Sequence, residues 1–335
     1  ALPHGPLVVL SATGDTTDDL FTAARTAQDG GLAEALELAR AIIARHRAIA
    51  AELFGDAPPE ALVQAFAGQA EELEQVLRGI ALLRELSPRS MDAVAAHGER
   101  LSTRLLAGLL EREELDCDLF DVRTVMVTDE RFGHAVPNRG ELARRAKERL
   151  APRLAAGRCV VTQGYVGATA QGVTTTLGRG GSDYTASLLG AALGADEVQI
   201  WTDVEGVMTA DPRVVPGALP IAELSFGEAA ELAAFGARVL HPATIQPAVE
   251  ADVPVTVRRT HRPEGRFTTI RGSVASGRPV TALATRGPIT VLTVTSSRML
   301  AQPGFLARLF EVFGRREVSV DLVATAEVSV SLTVE

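Results

Sequence analysis

Short apolar runs that stop at clusters of Gly, Ser, Thr or Asp, followed by helical stretches, constrain this chain most. Leu7-Val8-Val9-Leu10 runs into Ser11-Ala12-Thr13-Gly14-Asp15-Thr16-Thr17, and Cys159-Val160-Val161-Thr162 runs into Gln163-Gly164-Tyr165-Val166-Gly167. Val198-Gln199-Ile200-Trp201 leads directly into Thr202-Asp203-Val204-Glu205-Gly206-Val207. Apolar runs of this length, bounded by turn residues, read as strands buried on both faces. Helices are predicted over about 17–28, 139–155, 184–193, 226–235 and 243–251, with further strands near 119–122 and 253–258. Repeated strand–helix–strand units predict an α/β fold, a mainly parallel sheet sandwiched by helices.

Residues 32–112 interrupt the alternation with helices. Leu36, Ala39, Ile42 and Ile43 fit a 3.6-residue period, as do Leu73, Val76, Leu77 and Ile80. Pro58-Pro59 and Ser87-Pro88 punctuate the region, and its last helix is predicted over about 90–112. Gly, Pro, Thr and Arg crowd together over 260–288, which reads as a linker. Strands at 290–295, 318–323 and 328–334, with a helix at 305–315, then give a βαββ order, the first part of a ferredoxin-like unit. The expected division is 1–285 and 286–335.

Composition removes several function classes. Of 33 basic residues only Lys147 is a lysine, and it lies in the charged run Arg144-Arg145-Ala146-Lys147-Glu148-Arg149, the wet face of a helix. A P-loop, a protein-kinase strand lysine and a Schiff-base lysine are therefore excluded. A net charge of -9 argues against nucleic acid or an anionic membrane as the main partner. Cys117 and Cys159 are too few for a disulfide framework or a zinc site and read as reduced thiols of a cytoplasmic protein. The six histidines show no ligand spacing. No apolar run reaches the ~18 residues of a membrane span.

Ligands of open parallel sheets bind beyond the carboxyl ends of the strands. Four loops rich in Gly, Ser, Thr or Asp are candidates: 11–17, 163–167, 178–183 and 202–213. Arg179-Gly180-Gly181-Ser182-Asp183 places a guanidinium beside glycines that permit close backbone approach, so it could clamp a carboxylate. The alternative is a tight turn with an N-cap Ser or Asp. The loop 11–17 reads either as an anion site or as a plain cap. Asp203 suits a ribose, a base edge or a cation, while Asp211-Pro212-Arg213 serves equally as a stiffened turn. His241 before Pro242 reads as a structural corner, and Glu99 as an ordinary solvated helix residue.

Thr174-Thr175-Thr176-Leu177-Gly178-Arg179-Gly180-Gly181-Ser182-Asp183-Tyr184-Thr185-Ala186 strongly resembles the signature of aspartate kinases. So do Trp201-Thr202-Asp203-Val204, Asp211-Pro212-Arg213-Val214-Val215 and Phe235-Gly236-Ala237-Arg238-Val239-Leu240-His241-Pro242. Val8-Val9-Leu10-Ser11-Ala12 and His97-Gly98-Glu99 fall in the family's order. Residues 318–323 and the long helical region are similar to the lysine-sensitive subgroup, whose tail forms ACT regulatory domains.

The resemblance implies an amino-acid-kinase fold with a partial ACT unit, and transfer of the ATP γ-phosphoryl group to the β-carboxylate of L-aspartate, with Mg²⁺ on the phosphates. This is the first step toward lysine, threonine and methionine. It implies that Ser11, Thr17, Glu99, Arg179, Gly180, Gly181, Ser182 and Asp183 hold aspartate, Glu99 at the α-ammonium and Arg179 at the α-carboxylate. Thr202, Asp203, Gly206, Asp211, Arg213 and Arg238 would line the nucleotide site, and Arg179, Asp183 and Arg238 would serve the chemical step. Met299, Gly304, Leu306, Ser319, Val320, Asp321, Thr325 and Glu327 match lysine-contacting positions. Homo-oligomerisation through ACT regions is implied, with fusion to another enzyme as an option. The family's Lys-Phe-Gly-Gly strand does not occur, its second basic position is Arg238, and the chain reads as cut at both ends. The alternatives are a kinase for glutamate, acetylglutamate or carbamate, and a non-catalytic lysine-binding chain.

Overall fold

The computed structural model describes residues 5–55, 57–234, 242–274, 279–285, 289–299, 303–316 and 318–334. The first apolar run forms β1 (Leu7–Leu10), and the small-residue loop delivers α1 (Thr16–Gln28). Helical periodicity then carries α2 (Leu32–Phe54), α3 (Glu60–Leu83), α4 (Pro88–Ala95) and α5 (His97–Arg112). The stripe Leu36, Ala39, Ile42 and Ile43 packs with Phe66, Leu73, Leu77 and Ile80 and with Leu20, Ala23 and Ala27 in one core. The single helix predicted over 90–112 is two, parted at Ala96. Ser87 caps the first by accepting from the Ser90 N–H, and Pro88 opens it without sacrificing a helical donor.

The chain continues as β2 (Cys117–Phe120), a 3₁₀ turn at Val122–Thr124, β3 (Val127–Thr128), α6 (Arg139–Arg149), α7 (Ala151–Ala155) and β4 (Cys159–Gln163). Next come β5 (Val166–Thr169), β6 (Thr174–Thr176), α8 (Gly181–Leu193), β7 (Val198–Thr202), β8 (Glu223–Ser225), α9 (Phe226–Ala234), α10 (Pro242–Glu250), β9 (Val255–Arg259) and β10 (Thr268–Arg271). The predicted α/β character is borne out. Strands β1, β4 and β2 are wholly parallel in that spatial order, and β7 is parallel to β9.

The strands are divided among separate sheets, including the order β7-β9-β10-β8 and a small β3-β5-β6 group. β10 falls inside the segment predicted as a linker. It pairs antiparallel with β9 and parallel with β8. Its composition is polar, but Thr268 and Ile270 are fully buried, and the Thr268 hydroxyl is satisfied by donating to the Ile221 carbonyl at 2.6 Å. A buried hydroxyl with a partner costs little, which is why composition misled here.

The C-terminal unit comprises β11 (Thr290–Thr295), a 3₁₀ turn at Ser297–Met299, α11 (Phe305–Arg315), β12 (Val320–Thr325) and β13 (Ser329–Val334). It is antiparallel, in the order β11-β13-β12. Alternate residues Val330, Leu332 and Val334 face Leu309 and Phe313 of α11, as period-two patterning demands. Among the described residues no helix is long and apolar enough to cross a membrane.

Candidate active site

Close backbone approach builds the first half of the site. A Cβ on Gly98 would lie 2.7 Å from the Ala12 Cβ, so glycine lets the start of α5 meet the loop that leaves β1. The Ala12 N–H donates to Glu99 Oε1 at 3.3 Å, and Ser102 Oγ donates to the Ser11 carbonyl at 2.7 Å. Thr103 Oγ1 donates to the Glu99 carbonyl and accepts from Gln163 Nε2, tying this turn to the end of β4. Glu99 is therefore not solvated: it is 3% exposed and its Oε2 has no hydrogen-bond partner. Burial raises its pKa to about 7, against which the Ala12 N–H acts only weakly. A buried carboxylate with an open oxygen is a receptor for a cation.

The glycine-rich turn supplies the second half. Gly178 and Gly180 have φ of 80° and 71°, conformations that glycine adopts without steric cost. Gly180 is the N-cap of α8, and no side chain caps that helix. Ser182 and Asp183 thus lie in its first turn and are not caps. Asp183 forms no hydrogen bond or ion pair among the described residues, and burial pushes its pKa to about 6. Arg179 is exposed and makes no ion pair among them. Nor does any side chain cap α1, so Thr17 sits in a first turn with open N–H groups.

Tyr165 joins these pieces, and sequence reasoning gave it no role. Its φ is +64°, unusual for a bulky residue. Its N–H donates to Thr185 Oγ1 at 3.1 Å, and its carbonyl accepts from the Leu177 N–H at 2.8 Å. A Cβ on Gly181 would lie 2.7 Å from the Tyr165 ring, and one on Gly164 would lie 2.6 Å from Ser182. The neighbouring Thr176 hydroxyl donates to buried Asp92 at 2.7 Å, and burial raises the Tyr165 pKa. The only sequence signal was a bulky residue set between Gly164 and Val166 at a strand end.

The structure thus gathers Ser11, Glu99, Gly181 and Ser182 through direct packing around the ends of β1 and β4. The loop 202–213 leaves β7, and α8 packs against both β1 and β7. Thr202 Oγ1 donates to Asp203 Oδ1 at 3.1 Å. Arg213 grips Asp211 through Nε at 3.0 Å and Nη2 at 2.7 Å. Gly206, with φ of 114°, is buried where a Cβ would meet Thr268 Oγ1, so packing alone accounts for that glycine. Arg238 and His241 lie outside the described residues. No group of three or more His, Cys, Asp or Glu among the described residues could hold a metal ion.

The C-terminal candidates do not share one place. Met299 and Val320 pack against the Val330–Val334 core, Gly304 is the N-cap of α11, and Leu306 is 40% exposed. Ser319 and Asp321 flank the start of β12, whereas Thr325 ends it and Glu327 lies in the following turn. At about 3.3 Å per residue, Asp321 and Thr325 stand about 13 Å apart along the strand.

A family model for the amino acid kinase family matches residues 2–259. The chain is 47% identical over 270 residues to lysine-sensitive aspartokinase 3 of Escherichia coli (strain K12), covering 79% of this chain and 60% of that protein. It is 37% identical to the chloroplastic aspartokinase 1 of Arabidopsis thaliana, covering 99% of this chain and 58% of that protein. The chain thus spans less than two thirds of either relative's length. Among solved structures it is similar to E. coli aspartokinase III in complex with lysine and aspartate, T-state, with a TM-score of 0.85 and 43% identity, covering 98% and 72% of the two chains. The R-state complex of that enzyme with aspartate and ADP gives a TM-score of 0.82 at the same identity and coverage. With a family model over most of its length and relatives of this similarity, this chain belongs to the amino acid kinase family, and aspartokinases are among its relatives.

Proposed function

We propose that the chain is the kinase portion of an aspartokinase, transferring the γ-phosphoryl group of ATP to the β-carboxylate of L-aspartate to give 4-phospho-L-aspartate. The observation that carries this reading is Glu99, buried with one unsatisfied oxygen, in the same loop cluster as exposed, unpaired Arg179. An α-amino acid offers an ammonium group to the first and a carboxylate to the second. Ser182, Thr17 and the open N–H groups of the α8 first turn suit the remaining carboxylate. Alignment and charge neutralisation are most of what phosphoryl transfer requires of a protein.

Thr202, Asp203, Asp211 and Arg213 would hold the nucleotide. Arg213 would exchange its Asp211 partner for a phosphate, a trade between two anions that a guanidinium accommodates bidentately. Mg²⁺, when bound, neutralises phosphate charge. With no three-ligand cluster of its own among the described residues, the chain would receive it with the phosphates. Lysine as effector, assembly through the C-terminal unit and a cytoplasmic location complete the reading. Trapping the acyl phosphate with hydroxylamine tests it: aspartyl hydroxamate should form only with ATP, Mg²⁺ and aspartate. Product with glutamate but not with aspartate would overturn the assignment.

A further inference from the structure

Cys117 and Cys159 are the chain's two cysteines, and the fold makes them neighbours. β2 and β4 are parallel, and their register sets Cys117 directly beside Cys159. Partners on adjacent strands project from the same face. Their Cα atoms are separated by about 4.8 Å, the strand spacing, inside the roughly 4.4–6.8 Å that a disulfide bridges. The register therefore sets the two thiols side by side on one face of the sheet. Both are free thiols and partly exposed. The strand starts are also clamped together: the Cys159 N–H donates to the Asp116 carbonyl at 3.1 Å, and Arg158 bridges Asp116 and Asp118 at 2.8 Å each.

We infer that Cys117 and Cys159 form a reversible intrachain disulfide by exchange with a small-molecule disulfide such as oxidised glutathione. One cysteine loses its proton to solvent, and its thiolate attacks the small disulfide. A mixed disulfide forms as one glutathione thiolate leaves. The second cysteine, likewise deprotonated, attacks the protein sulfur of that mixed disulfide and expels the second glutathione. Two protein thiols are oxidised and one disulfide is reduced to two thiols, so electrons balance.

Burial, the neighbouring thiol and the Asp118 carboxylate hold the Cys117 thiol up at about 11, while burial raises Cys159. The charged groups around the pair are Asp116, Asp118, the Arg158 that pairs with both and the Arg153 of α7 that pairs with Asp118 at 3.0 Å. Exchange is therefore slow near neutrality and faster as pH rises. Cys159 opens β4 and Gln163 closes it, so the pair stands about 13 Å along the strand from the substrate loops. The cross-link fastens edge strand β2 without touching Glu99 or Arg179.

The test is incubation of the folded protein with oxidised glutathione near pH 8.5, within the ordinary thiol range, then alkylation and intact-mass and peptide analysis. The expected product is lighter by two hydrogens, carries no alkyl group, contains a Cys117–Cys159 cross-linked peptide and reverts with dithiothreitol. Cys117→Ser and Cys159→Ser should instead stop at a stable glutathione adduct. Wild-type protein that accumulates such adducts would overturn the inference. So would wild-type protein that stays unmodified while the denatured chain reacts.

Discussion

Replacing Glu99 by Gln removes a charge and keeps the shape, and the buried setting of this carboxylate fixes what should follow. Its pKa rises from the ordinary 4.5 to about 7 on folding, because the folded protein withdraws it from water and the backbone N–H groups of Glu99 itself and of Ala12 compensate only in part. At 1.36 kcal/mol per unit, the folded state loses about 3 kcal/mol relative to a neutral side chain once the pH exceeds 7. The sign follows from proton counts: between the two pKa values the folded protein holds the proton and the unfolded chain does not, so stability falls as pH rises. The penalty is absent below the unfolded value and complete above the folded one.

Glu99→Gln should therefore gain stability over wild type progressively with pH, by about 2 kcal/mol more near pH 8 than near pH 5.5. Urea denaturation of both proteins at the two pH values measures this. Saturating aspartate should erase the gain, since its ammonium compensates the wild-type carboxylate and leaves the amide with nothing to pair. The same substitution should weaken aspartate by about 3–5 kcal/mol, the usual result of removing one partner from a buried ion pair. A stability difference that does not vary with pH, or a Gln variant that still binds aspartate normally, would refute the reasoning.

Other outcomes follow from the same geometry. Arg179→Ala should raise the aspartate KM by two orders of magnitude or more, a loss of about 3 kcal/mol. Because Arg179 is exposed and unpaired, the denaturation midpoint should stay within about 0.5 kcal/mol of wild type. Gly181→Ala drives a methyl to 2.7 Å from the Tyr165 ring and 3.0 Å from its Cα. It should cost about 1–3 kcal/mol and raise KM for aspartate more than for ATP in steady-state assays. Thr268→Val leaves the Val207 N–H and the Ile221 carbonyl unpaired in the core, costing about 1–3 kcal/mol by urea titration. A cost near zero would deny β10 its place in the sheet.

What the sequence made legible was what rests on local pattern. The strands at Leu7–Leu10 and from Cys159 and the stripe at Leu36, Ile42 and Ile43 follow from apolar spacing and form where predicted, but β1, read as buried on both faces, is only half-buried along its length. The turn at 178–183 was visible because glycines mark a backbone that other residues resist. Long-range relations stayed hidden. Glu99 looked like a solvated helix residue, because nothing local says that Gly98 presses the helix onto Ala12. Tyr165 showed no periodic signal, and its left-handed backbone lies in the two-residue link by which the chain passes from β4 of one sheet to β5 of another. β10 was lost because partnered threonines read as linker.

Helix α8 has one more implication. Its first turn carries Ser182 and Asp183, which the proposed function puts on the acceptor side, while α8 packs against β1 of one sheet and β7 of the other. A helix of 13 residues is close to a rigid rod about 20 Å long. A change in the tilt between the two sheets would therefore be carried through α8, and in the proposed reaction it would alter the reach from Ser182 to the loop beyond β7.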